Sequence, residues 1–141
     1  MKPNRGLKLN VDAAFLHGSA SGVAILRYQR GELVCACAFP IVASSSLEAE
    51  LIAAMRSTRW AIDEGYRGFQ VEIDAEIALS LLSGGFNMAR SDEIIEFRQI
   101  CFRKGIYFRH IFREGNRAAH YLAAYHPARF TSWTSARSSS Y

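Results

Sequence analysis

Four residues spread along this chain of 141 carry side chains from which a reaction centre could be built: Asp12, Glu50, Asp74 and His120. Asp12 stands in LKLNVDAAF, where Leu7, Leu9 and Val11 share one parity and Asp12 falls on the other with Lys8 and Asn10. A carboxylate near the middle of a sheet needs a partner. Asp74 closes the run VEID, with Glu72 on the same side by parity, at a strand end of the kind where ligands gather in open α/β sheets. Its plainer alternative is to cap the helix that begins AEIALS. Ser45 and Glu48 match the S-x-x-E capping box, which gives Glu48 a structural task. Glu50 has no such task and borders the apolar stripe of the same helix. If Asp12, Glu50 and Asp74 converge, three carboxylates repel one another unless cations neutralise them, and hard oxygen ligands select Mg²⁺ or Mn²⁺. Such a site suits phosphoryl transfer. His120, one turn into the helix start EGNRAAHYLA, either passes a proton near pH 7 or merely fills the base of its helix among Ala118, Ala119 and Leu122.

Strands and helices must carry these residues to one place. Residues 7–15, 21–28 and 32–41 alternate like strands and are separated by HGSAS and QRG, which predicts an antiparallel meander. The period then changes: Leu47, Leu51, Ala54, Met55, Thr58, Ala61 and Ile62 recur at helical spacing, and Gly65 stands where that helix would stop. FQVEID (69–74) predicts a fourth strand, and AEIALSLLSGG a short helix. SDEIIEFRQICFRKG predicts a helix opened by Ser91 and closed at Gly105, and IYFRHIFR (106–113) a fifth strand holding His110. NRAAHYLAAYH predicts a last helix capped by Asn116. The order βββ-α-β-α-α-β-α implies one α/β domain over residues 1–126, followed by a loose Ser-rich tail at 127–141.

Composition narrows the function. Half the residues are apolar, enough to bury a core in a chain of 141 residues. No stretch reaches the roughly 18 apolar residues of a membrane span, and MKPNRG lacks the apolar block of a secretory signal, so the expectation is an intracellular protein, nuclear or cytoplasmic, with no membrane partner. Cys35 and Cys37 lie two apart among apolar neighbours and are expected as core thiols on one strand face. The net charge is +4, and 14 of the 17 basic residues are arginine, a planar fork suited to phosphate oxygens. The arginines are dispersed, so a merely solvated basic surface stays open as an alternative to a polyanion partner. Arg27, for example, reads as a surface residue.

The segments KLNVDAAF, SGVAILR, the AEL of EAELIAAM, VEIDAE and FREGNRAAHYLA together resemble the ribonuclease H domain, in particular the plant branch found at the end of non-LTR retroelement reverse transcriptases. The resemblance runs from about Lys8 to Tyr125. It implies a ribonuclease H-like fold with a five-stranded mixed sheet, its first three strands antiparallel, flanked by helices. It also implies an endonuclease that cuts the RNA strand of RNA/DNA hybrids with two Mg²⁺ or Mn²⁺ ions held by Asp12, Glu50 and Asp74. The family's fourth carboxylate belongs to N-x-x-A-D-x-L-A, which this chain writes NRAAHYLA, so His120 stands in its place and is expected to assist rather than to bind metal directly. Ser45 and Ser46, beside Glu50, together with Arg113 and Asn116, are the expected contacts to the nucleic-acid backbone. Both serines have helix capping as their alternative. The chain departs from bacterial relatives in a shortened loop before the last helix and in lacking a basic handle between Gly84 and Arg103, which would slow chemistry and weaken grip. The alternative function is therefore a catalytically weak or silent nucleic-acid-binding module of the same fold. In either case the expected form is a monomer, stand-alone or carried in a larger reverse transcriptase polypeptide.

Overall fold

Alternation of period two in the N-terminal part of the chain produces three long strands: β1 (Lys8–Leu16), β2 (Ser19–Arg27) and β3 (Leu33–Ile41). The computed structural model describes residues 6–16, 19–83, 92–111 and 133–135. β1 pairs antiparallel with β2 so that Asp12 lies opposite Val23, and β2 pairs antiparallel with β3. Gly22 sits opposite Phe39 in that second pairing. A Cβ built on it would meet the Phe39 and Ile41 side chains at 2.8–2.9 Å, so glycine is what lets both apolar groups cross the strand.

Two antiparallel steps leave β3 running parallel to β1, and the chain then enters α1 (Ser46–Asp63). Ser45 caps this helix, its Oγ accepting from the Glu48 N–H at 3.1 Å. The Glu48 carboxylate reaches back to the N–H and hydroxyl of Ser44, at 2.6 and 2.9 Å, one residue earlier than the expected capping box would place it. At the other end Gly65, at φ +99°, donates to the Ile62 carbonyl while Tyr66 donates to Ala61, the paired bonds of a Schellman stop. Gly105, at φ +69°, ends α3 (Asp92–Arg103) in the same way through Phe102 and Cys101. Both stops stand where the glycines predict them.

β4 (Gln70–Ile73) returns beside β1 in parallel, α2 (Glu76–Ser83) and α3 follow, and β5 (Tyr107–His110) pairs parallel with β4. The strand order β5-β4-β1-β2-β3 is the expected mixed sheet. One expectation needs correction. Trp133–Ser135, which fall within the segment expected to be a loose tail, form β6 and pair antiparallel with Cys35–Cys37 of β3. The meander leaves β3 as an open edge whose backbone groups invite a further strand, and TSWTS supplies β-branched and aromatic residues that suit one. The predicted last helix lies outside the described residues.

The core fills the space between the sheet and α1. Leu7, Leu9 and Val11 of β1, Ala24 and Leu26 of β2, and Val71 and Ile73 of β4 pack with Ala49, Ala53, Ala54 and Ala61, the small side of the helix. Phe69 and Phe97 are fully buried in the same cluster. Cys35, Cys37 and Cys101 are buried thiols not joined in disulfides, and desolvation pushes Cys37 far above, and Cys101 up to about 12 from, the ordinary thiol value. Among the described residues no helix is long and apolar enough to cross a membrane.

Candidate metal centre

The topology explains why acids distant in sequence meet. β1 and β4 are parallel neighbours with Val11 paired to Ile73, so the next position along each strand sets Asp74 beside Asp12. Because α1 begins at the end of β3, and β3 runs parallel to β1, the first turns of α1 lie at the edge where β1 and β4 finish. Glu50, in the second turn, is thereby carried to the same edge. One carboxylate oxygen from each of Asp12, Glu50 and Asp74 lies within 4.8 Å of the other two. The expected convergence is present.

Asp12 is fully buried, Glu50 and Asp74 partly so. The Ala13 N–H donates to Asp12 Oδ1 at 2.9 Å and fixes that side chain against its own strand. Asp74 is not the cap of α2: the Ala75 carbonyl accepts the first helical bond, from Leu79 at 3.0 Å, which places Asp74 one residue before the cap. Among the described residues its buried Oδ2 finds no hydrogen-bond partner. Three ionised carboxylates at this spacing repel by roughly 3–4 kcal/mol per pair at an effective dielectric near 20. Oxygen donors gathered against that repulsion, one of them buried and unbonded, fit a hard divalent cation such as Mg²⁺ or Mn²⁺.

A second polar cluster lies farther back along the same strands. Glu72 is buried, with only 3% of its surface exposed, and four side chains converge on it. Asn10 Nδ2 donates to its Oε1 at 2.8 Å; Lys8 and Arg27 approach at 3.2 Å and Arg109 at 3.9 Å. Arg27 Nε also donates to Asn10 Oδ1 at 2.7 Å. The expectation for Arg27 is thus corrected: its guanidinium is an internal tie whose side chain is 26% exposed. The signal was present in part, since Lys8 and Asn10 shared the parity of Asp12 and Glu72 that of Asp74, but the strand pairing that unites them was not.

Ser45 is the cap of α1, and both Ser45 and Ser46 are exposed at the helix start, four to five residues before Glu50. His110 lies on β5 as expected, 3.9 Å from Glu76. Arg113, Asn116 and His120 fall outside the described residues.

A family model described as reverse transcriptase-like matches residues 10–126. No curated protein shows significant sequence similarity to the chain. Among solved structures, ribonuclease H1 from the halophilic archaeon Halobacterium salinarum is 17% identical at a TM-score of 0.68, covering 84% of this chain and 96% of its own. LC11 ribonuclease H1, in complex with RNA/DNA hybrid, gives 17% and 0.68, with 82% of this chain and 92% of its own covered. The foamy viral protease-reverse transcriptase, also in complex with RNA/DNA hybrid, is 13% identical at 0.66, covering 88% of this chain and 20% of that one. At such identities the likeness shows a common fold, that of ribonuclease H.

Proposed function

The chain belongs to the reverse transcriptase-like family, and from that membership we propose that it is an endonuclease hydrolysing the RNA strand of RNA/DNA hybrids by two-metal-ion catalysis. The observation that carries this reading is the meeting of Asp12, Glu50 and Asp74 within 4.8 Å from three distant segments. Solved structures of the same fold hold RNA/DNA hybrid, which supports the substrate class.

In this reading Asp12, Glu50 and Asp74 hold Mg²⁺ or Mn²⁺. When bound, such ions supply Lewis acidity toward a phosphodiester and its attacking water. Asp12, deep and held by the Ala13 N–H, is the rigid member, while the partly open Glu50 and Asp74 face the side from which substrate arrives. His120 stands where the family pattern has a carboxylate and serves as a neutral proton carrier or water holder near pH 7. Ser45 and Ser46, at the exposed start of α1, contact the backbone of the hybrid, whose 2′-hydroxyls and A-like shape set it apart from plain DNA. Arg113 and Asn116 are the further backbone contacts in this reading. In this reading the protein acts as a monomer, alone or within a larger reverse transcriptase polypeptide, and the resemblance of its motifs supports the plant retroelement branch.

The test is cleavage of an end-labelled RNA/DNA hybrid in Mg²⁺ or Mn²⁺. Asp12→Asn is expected to lower the rate by about 10³-fold, the several kcal/mol that such an ion contributes to the transition state. Replacing the protein by a silent binder is the competing outcome: wild type and Asp12→Asn would then cut equally slowly while both retarded the hybrid in a gel.

A further inference from the structure

Asn10 and Asp12 share one face of β1, and Glu72 and Asp74 share the matching face of the adjacent parallel segment. Asn10 and Glu72 therefore each stand two residues, about 6.6–6.8 Å, behind a candidate metal ligand. The Asn10–Glu72 hydrogen bond of 2.8 Å joins the two strands side chain to side chain. Arg27, from β2, closes both ends of that bond, donating from Nε to Asn10 at 2.7 Å and from Nη2 to Glu72 at 3.2 Å. β4 is only four residues long, and Asp74 lies just beyond its last registered pair, Val11 with Ile73. The β1–β4 backbone ladder thus ends where the ligand begins; on the β5 side the Ile111 N–H still donates to the Ile73 carbonyl at 3.0 Å, and toward β1 the Asn10–Glu72 bond is a side-chain tie two residues behind the ligands.

A tie of this kind is not the cheapest way to fill a sheet face. Buried ion pairs are often matched or exceeded in stability by apolar residues of similar volume, so a buried charge is weak evidence of stability and better evidence of a demand for one geometry. Here that geometry adjoins the carboxylates. We infer that Asn10, Glu72 and Arg27 form a positioning clamp that sets the separation of Asp12 and Asp74 and, through it, the affinity of the site for divalent cations. The inference rests on the reading of those two acids as metal ligands.

The test measures Mn²⁺ binding to the protein without nucleic acid, by the electron paramagnetic resonance of free Mn²⁺, alongside thermal unfolding. The double variant Asn10→Leu/Glu72→Leu removes the tie and leaves Lys8, Arg27 and Arg109, whose side chains are 18, 26 and 58% exposed, free to turn to solvent. It is expected to bind Mn²⁺ about tenfold more weakly, at the lower end of what outer-shell supports contribute, with Tm changed by less than about 5 °C. Glu72→Gln keeps an acceptor for Asn10 and Arg27 while dropping the charge, and is expected to retain most of the affinity. A loss as large as in the double variant would mean that charge alone matters and would overturn the clamp. Unchanged affinity in the double variant overturns it while leaving the metal centre standing. If that variant does not fold, Arg27→Lys decides: it keeps the charge but loses the Nε donor, and Mn²⁺ affinity equal to wild type sinks the clamp. A wild-type protein that binds no Mn²⁺ removes the metal centre and the clamp together.

Discussion

Two acidic sites lie about one pleat apart on the same pair of strands, and their surroundings are opposite. At Glu72 one carboxylate is met by Lys8, Arg27 and Arg109 and by the Asn10 amide. Two residues farther along, one oxygen from each of the carboxylates Asp12, Glu50 and Asp74 lies within 4.8 Å of the other two. The contrast separates two uses of a buried acid. Glu72 is completed by the chain's own cations and behaves as structure; Asp12, Glu50 and Asp74 are gathered at a cost in repulsion that the fold itself sustains, which is the arrangement of a site built for an incoming cation.

The difference can be broken or sharpened by stability measurements. The largest effect is expected at the structural acid: Glu72→Ala leaves a void and the buried Asn10 amide without its acceptor, and should cost about 3 kcal/mol in urea unfolding even though Lys8 and Arg27 are partly exposed and can turn to solvent. Asp12→Asn, which relieves repulsion in the metal-free protein, should cost nothing or stabilise. Equal losses at the two sites would erase the contrast. Next in size, Mn²⁺ at 100 times its Kd should stabilise the wild type by about 2.7 kcal/mol and leave Asp12→Asn unmoved. Mn²⁺ that raises the Tm of both proteins alike would be binding elsewhere. Smaller still, Ser45→Ala removes the cap of α1 and should cost about 1 kcal/mol. If hybrid cleavage falls at saturating substrate no more than stability does, Ser45 is a cap and nothing else.

Glu48 gives the smallest effect and a third kind of acid, fully solvated and tied to its own helix start. The Ser44 backbone N–H, and after it the Ser44 hydroxyl, hold its carboxyl below the usual glutamate value of 4.5. A depressed carboxylate contributes stability that is present above its unfolded value and is lost as pH falls through its folded one. Wild type should therefore lose more stability than Glu48→Gln as the pH drops below 4.5, with no difference between their slopes at neutral pH. Denaturant midpoints across that range provide the comparison.

Local chemistry was readable from the chain alone. Ser45 and Gly65 bracket α1, Gly105 ends α3, and the parity of Asp12 against Leu9 and Val11 assigns its face, because caps, φ preferences and alternation act over a few residues. The ribonuclease H-like motifs likewise selected Asp12, Glu50 and Asp74, which the structure brings together. Pairing across the sheet was not readable in the same way. Arg27 looked like a solvated cation until β2 set it 17 residues from Asn10 and 45 from Glu72 in sequence yet in bonding contact with both. Trp133–Ser135 looked like tail until β3 offered them an edge. A strand's neighbours are chosen by register, and a shift of one residue would turn every side chain to the opposite face. The identity of the acids and the turns that present them were thus properties of the sequence. Which cations answered Glu72, and how closely three carboxylates met, were decided only when the strands aligned, since Coulomb and hydrogen-bond energies depend on distances of a few ångströms that no spacing along the chain encodes.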